Sequence, residues 1–205
     1  MNIGPSSAGF AAFAFLVFGL TPHLQAQDAA QVSDQVTVPD ASGEGASGRL
    51  AVNIAAGDNN QQIGDAVIAV GDLALGLETV SQRMNGPAPT DRATEISIGN
   101  GAFAGTTGLS SINITAGSQN QMANLAVLAI GNSGAMSDQL LEQSRAPIEP
   151  KGGNQNGSLP SNDQIVIGDT AFGDGSGLLQ VNLIGGEGNS SANTFALSIA
   201  SEGSP

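Results

Sequence analysis

Asn53, Asn113 and Asn182 are the residues of this chain whose type and spacing can do the most chemistry, and that chemistry is hydrogen bonding among themselves. Each lies mid-alternation, as Val52-Asn53-Ile54, Ile112-Asn113-Ile114 and Val181-Asn182-Leu183. Asparagine is disfavoured inside a strand, so its threefold return at one position asks for a physical reason. A ladder supplies one: each side-chain amide donates to the amide oxygen of the next layer, which works only when identical residues lie directly above one another. The pattern predicts in-register layers, with Val52 and Ile54, Ile112 and Ile114, and Val181 and Leu183 on the apolar face and the asparagines on the other.

Other chemistry is poorly provided for. The chain has no cysteine, one histidine (His23) and one lysine, Lys151, in a Pro/Gly linker. Its carboxylates are scattered, and a linker carboxylate is far more often a solvated charge than a general acid. We therefore expect no catalytic residue, no cofactor and no metal, and a polysaccharide-acting β-helix enzyme is the least favoured reading. Gly173-Asp174-Gly175-Ser176-Gly177 and Gly185-Gly186-Glu187-Gly188-Asn189 hint at calcium-binding β-rolls. That signature needs tandem nine-residue periodicity, which is missing, so we read them as turns. Eighteen acidic against 5 basic residues, a net charge of −13, repel nucleic acid and anionic membrane surfaces.

The elements that must position the asparagines recur with them. Val36–Val70, Ile96–Ile130 and Ile165–Ile199 are three gapless copies of a 35-residue unit. Fixed-period self-similarity implies stacked equivalent units that bury their apolar faces against one another. Each copy opens on a β-branched alternation (Val36-Thr37-Val38 in the first) and bends through a Gly-rich stretch to Gly48, Gly108 or Gly177. It then runs the central strand and bends again at Gly57, Gly117 or Gly186, followed by Asn60, Asn120 or Asn189. We read these last three asparagines as turn residues, since Gly and Asn tolerate positive φ. Fully extended, the unit would span roughly 115 Å, far beyond ordinary strands, so it must fold back at its two bends. The expected fold is all-β: three 35-residue repeats stacked as a β-solenoid or cross-β layer arrangement, with irregular or partly helical linkers. Helices over 61–76 and 121–136 are the alternative, weakened by Gly64, Gly71, Asn124 and Gly131.

The expected organisation is a signal peptide (1–26), an N-terminal segment (27–35), repeat 1 (36–70), linker 1 (71–95), repeat 2 (96–130), linker 2 (131–164), repeat 3 (165–199) and a tail (200–205). Residues 10–20 are continuously apolar, too short to span a membrane, and a small-residue stop follows at Leu24-Gln25-Ala26. Met1–Gly9 carries no Lys or Arg, unlike an ordinary leader. Export with cleavage near Ala26 leaves Phe103, Phe172 and Phe195 as the only aromatics and no membrane insertion. The linkers carry Leu77–Arg83 and Leu140–Arg145, helix-compatible by residue type, then Pro87 and Pro89 or Pro147, Pro150 and Pro160. Repeat 2 contains no charged residue. A long uncharged, proline-free, β-prone segment flanked by charged, proline-bearing stretches is the make-up of a fibril core with gatekeepers.

The block Gly45–Gln62, with its Val52-Asn53-Ile54 and Gly57-Asp58-Asn59-Asn60-Gln61-Gln62, resembles the repeat signature of Fap-type functional amyloid subunits, the secreted fibril proteins of bacterial biofilms. Three imperfect repeats and two unequal linkers behind a leader are similar to that family too. The sequence departs from it in lacking a Cys-x-Cys pair near the C-terminus and in carrying Gln121-Met122 and Ser190-Ser191 where repeat 1 has Gln61-Gln62. The resemblance implies cross-β polymerisation, extracellular or cell-surface fibrils reached through the periplasm, and the chain itself as partner, with related fibril subunits and an outer-membrane export pore as further ones. A monomeric extracellular β-solenoid adhesin or calcium-stabilised surface protein is the alternative.

Overall fold

The computed structural model describes residues 33–86, 92–145 and 162–201. Among them every regular element is a strand: β1 (Ser33–Val38), β2 (Ser47–Ala56), β3 (Gln61–Met84), β4 (Ala93–Ile98), β5 (Thr107–Ala116), β6 (Gln121–Arg145), β7 (Gln164–Ile167), β8 (Ser176–Gly185) and β9 (Ser190–Ala200). They form three parallel sheets, ordered β1-β4-β7, β2-β5-β8 and β3-β6-β9. Each repeat gives one strand to each sheet, so each repeat is a layer and its copies stack in order. Pairing follows the repeat without slippage: Val36, Ile96 and Ile165 are partners, as are Val52, Ile112 and Val181. The unequal linkers leave this register untouched, as slowly growing closure entropy allows.

Alternation in the strands decides which faces meet. Val36 and Val38 on β1 and Ile96 and Ile98 on β4 are buried against Ile112, Ile114 and Ala116 of β5. Val52, Ile54, Val181 and Leu183 pack on the same cluster and remain half-buried, because their layers have a neighbour on one side only. The first and second sheets thus share an apolar core. The opposite face of the second sheet looks at the third.

Two columns of glycine make the bends possible. Gly48, Gly108 and Gly177 take φ of +90°, +105° and +107°, and Gly57, Gly117 and Gly186 take +96°, +119° and +91°. A Cβ on Gly108 would run into the carbonyl of Gly48, and one on Gly117 into that of Gly186. Both the left-handed backbone and the approach of the next layer exclude a side chain there.

The linkers differ from expectation. No helix occurs among the described residues, and residues 73–84 and 134–145 continue β3 and β6 as paired strands after an irregularity at Gly71/Leu73. Leu, Glu, Gln and Arg are good helix formers, but that preference is weak, and here a parallel neighbour outweighs it. Burial in 73–84 alternates with period two: Glu78, Val80, Gln82 and Met84 point inward while Leu73, Leu75 and Leu77 are exposed. The chain reverses a third time near Gly71, so this arm lies back over the third sheet. Gln61 Nε2 donates to the Arg83 carbonyl at 2.8 Å, and Val80 packs with Ile63, Ala123, Leu125 and Leu141. The strand-forming unit of the first two copies therefore runs past Val70 and Ile130.

The apolar run at 10–20, His23, Lys151 and the linker prolines Pro87, Pro89, Pro147, Pro150 and Pro160 lie outside the described residues. Among the described residues no helix is long and apolar enough to cross a membrane.

Candidate stacking interface

Asn53, Asn113 and Asn182 are register partners on β2, β5 and β8. Asn113 Nδ2 donates to Asn53 Oδ1 at 2.8 Å, and Asn182 Nδ2 donates to Asn113 Oδ1 at 3.0 Å. Asn113 is fully buried; its second N–H reaches the Ile63 carbonyl at 2.9 Å, and its oxygen also accepts from Asn124 at 3.0 Å. Both donors and both lone pairs of this amide are thereby used, which makes burying it inexpensive and displacing it costly.

The face that carries these asparagines looks onto the third sheet rather than onto water. There a second amide column, not read from the sequence, meets the first. Asn124 and Asn193 are partners on β6 and β9, with Gly64 in the first layer. Asn193 Nδ2 donates to Asn124 Oδ1 at 2.9 Å and to Asn182 Oδ1 at 3.1 Å, while Asn182 Nδ2 donates to Asn124 Oδ1 at 3.0 Å. Gln180 adds bonds to the Leu125 and Asn193 carbonyls at 3.0 and 3.2 Å. The signal was present: Asn124 and Asn193 share one position of the unit, as the mid-strand three do. Where Gly64 leaves the column vacant, Arg49 Nη2 donates to the Gly64 carbonyl at 2.8 Å.

Asn60, Asn120 and Asn189 sit at the second bend, but the left-handed residue there is the one before: Asn59 at φ 56°, Gln119 at 59° and Gly188 at 73°. The three asparagines instead tie layers together. Asn60 Nδ2 donates to the Gly117 carbonyl at 2.8 Å while its Oδ1 accepts the Asn120 amide at 2.9 Å. Asn120 repeats both bonds one layer on, to the Gly186 carbonyl and from the Asn189 amide, each at 2.9 Å. Reading them as turn residues alone understates them.

Charge sits at the margins. Arg92 bridges Asp58 at 2.7 Å and Asp34 at 3.3 Å, and those carboxylates, Asp58 first, push its pKa up, so it stays charged. Glu78, 4% exposed on the inward face of the arm, has its pKa raised by burial and then by Asp65, against a lowering hydrogen bond from Gln139. Its Oε1 has no hydrogen-bond partner. Phe103 and Phe172 stack in one column, ring centroids 5.6 Å apart, above Gly43. An apolar groove of about 450 Å³ runs across the layers, lined by Ile68, Leu128 and Leu197 and by Leu109, Leu178 and Phe195. Among the described residues no group of three or more His, Cys, Asp or Glu is placed to hold a metal ion.

The chemistry on offer is hydrogen bonding between like residues in like positions, repeated at every layer. The family model of the functional amyloid protein FapB/FapC family matches residues 21–200. The chain belongs to that family. FapB/FapC proteins are functional amyloid subunits, a structural class and not a known enzyme family. The stacked amide and glycine columns fall within the matched region. No solved structure matches the chain.

Proposed function

We propose that this FapB/FapC-family chain is a secreted subunit that polymerises with copies of itself into cross-β fibrils of a biofilm matrix or cell surface. In this reading residues 1–26 are a leader removed on export, the mature chain crosses the outer membrane by a dedicated pore, and related fibril subunits join it. The amide columns Asn53/Asn113/Asn182 set the register, and the glycine columns Gly48/Gly108/Gly177 and Gly57/Gly117/Gly186 set the layer spacing.

One observation carries the reading: among the described residues, no strand covers the outer edge of any of the three sheets at either end of the stack. β1, β2 and β3 pair on one side only, as do β7, β8 and β9. A bare edge is a template for another strand, and solenoid monomers normally cover theirs. Here the upper edge repeats residues of the lower one, Asn182 for Asn53, Gly186 for Gly57 and Asn189 for Asn60. A heterologous contact of that kind does not close, and so it builds filaments.

The test is incubation of purified residues 27–205 with thioflavin fluorescence, electron microscopy and fibre diffraction. Unbranched fibrils with a reflection near ~4.8 Å are expected. A chain that stays monomeric for days at high concentration contradicts the proposal and fits a solenoid adhesin instead.

A further inference from the structure

Among the described residues of one chain, no carboxylate lies opposite another carboxylate in the strand ladders. The first-layer acids Asp34, Asp40 and Asp58 have Thr94, Asn100 and Ser118 above them, and the third-layer acids Asp163, Asp169 and Glu187 lie above those same three residues. Thr94 Oγ1 donates to Asp163 Oδ1 at 2.7 Å, the Asn100 amide donates to Asp40 Oδ1 at 2.8 Å, and Ser118 Oγ accepts the Asp58 amide at 3.2 Å. Thr94 and Asn100 offer carboxylates a hydrogen bond, and all three middle-layer residues offer no charge.

Continuing the stack changes that. With the third layer of one copy under the first layer of the next, Asp163 meets Asp34, Asp169 meets Asp40 and Glu187 meets Asp58. We propose that the contact between copies is this head-to-tail junction, and that its three carboxylate-on-carboxylate pairs, which no described ladder inside a copy contains, make subunit addition dependent on acid or salt. The inference rests on the polymerisation reading above and adds where its weakest layer lies.

Distance decides the effect. Inside a copy the two acids of a column are two layers apart, about 9–10 Å, which is roughly a Debye length at physiological ionic strength and largely screened. Across the junction they are one layer apart, about 4.8 Å, well inside it. Two of the columns adjoin: a Cβ on Gly57 would lie 2.7 Å from Asp34 Oδ2, and Arg92 bonds both Asp34 and Asp58. Among the described residues Arg92 faces the group Asp34, Asp58, Asp163 and Glu187, paired with Asp34 and Asp58. Asp40 and Asp169 have no described cation bonded to them, and Glu44 and Asp174 stand in neighbouring columns of the same bend. The junction also lacks a ladder bond. The Gly99 amide donates to the Val38 carbonyl and the Gly168 amide to the Ile98 carbonyl, each at 2.8 Å. Pro39 stands at the next position of that series and has no N–H to offer the Ile167 carbonyl of the copy below.

The experiment compares the wild-type mature chain with two variants, each having lost three charges. One is Asp163→Asn/Asp169→Asn/Glu187→Gln, which clears the junction. The other is Asp72→Asn/Glu95→Gln/Asp138→Asn, whose acids meet no carboxylate across it. Seeded elongation and the concentration of unpolymerised chain at equilibrium are read from pH 4 to 7 and at two salt concentrations. For the wild type, unpolymerised chain falls as pH drops toward ~4, where carboxylates lose charge. At pH 7 the junction variant should leave roughly tenfold less and respond little to pH or salt, since three repulsions at about 4.8 Å are gone. The second variant should track the wild type. An equal shift in both variants, or a wild type indifferent to pH, overturns the junction while leaving fibril formation intact. Fibrils in none of the preparations at any pH remove both readings.

Discussion

The middle layer and the two outer ones are built from one repeat, yet they differ in what they bury. Ile112, Ile114 and Asn113 are fully buried, while Val52, Ile54, Val181 and Leu183 are half-buried and Asn53 is exposed. The middle copy is also the one without charge. A carboxylate there would be desolvated by layers above and below, whereas Asp40, Asp58 and Asp169 of the outer copies stay exposed to water. Within the 35-residue copies, the difference teaches that charge follows which copy a residue lies in and not its position in the repeat, and that the middle copy carries most of the specification.

The comparison breaks most violently at a glycine. Gly117→Ala puts a Cβ into the Gly186 carbonyl at φ +119°. We expect loss of more than about 3 kcal/mol and of layered structure, read by thermal melting of the β circular-dichroism signal. Gly45→Ala in the first layer, with φ +67° and nothing within 4 Å of the new Cβ, should cost only about 1–2 kcal/mol. Similar costs at both sites would mean that layer contact is not what excludes the side chain.

Asn113→Leu sharpens the contrast next. It leaves Asn53 Oδ1, the Ile63 carbonyl and the amides of Asn124 and Asn182 each short of a partner. Denaturant titration should show about 2–4 kcal/mol lost, against about 1 kcal/mol or less for Asn53→Leu at the exposed edge. Equal or negligible losses would reduce the buried amides to passengers of apolar packing.

Glu78→Gln should have the smallest effect, and of opposite sign. Burial and Asp65 raise the Glu78 pKa, so folding of the arm favours the protonated form. That contribution is complete below the ordinary glutamate range and is lost as pH rises through the raised value. The substitution should protect the arm amides from hydrogen exchange by on the order of 1 kcal/mol at neutral pH and flatten the pH dependence. Faster exchange in the variant would show the buried charge to be supported.

Identical residues at identical intervals are visible in any sequence, and stacking in register is what they require. Hence the shared repeat positions of Asn53, Asn113 and Asn182 and of the glycines were visible directly, and the strands pair at the asparagines and at Gly48, Gly108 and Gly177. Two features were harder, for physical reasons. Leu77–Arg83 carries helix formers, and only a parallel neighbour, itself unequal in sequence, turns it into a strand. The Asn124/Asn193 column was obscured because its first member is Gly64, and because its value appears only when two sheets are laid face to face. Asn60, Asn120 and Asn189 occupy a turn for which their residue type is sufficient, which concealed the interlayer bonds they also make.

The central claim is that copies continue the ladder head to tail, and two glycines test it from opposite ends. Gly48 leaves open space where its Cβ would be, and at Gly186 the Cβ would meet side chains alone, the Asp163 carboxylate at 3.1 Å and Asn189 Nδ2 at 3.8 Å. Their counterparts Gly108 and Gly117 face a carbonyl of the adjoining layer. In a continued stack Gly48 faces the Gly177 carbonyl of the copy below, and Gly186 the Gly57 carbonyl of the copy above. Gly48→Ala should therefore block the lower edge and Gly186→Ala the upper, each leaving the subunit folded and unable to elongate seeds. Sedimentation of an equimolar mixture is the decisive measurement. The account predicts a discrete species of two chains, one of each variant joined through their intact edges. Wild-type fibrils from either variant alone, or from the mixture, would contradict it.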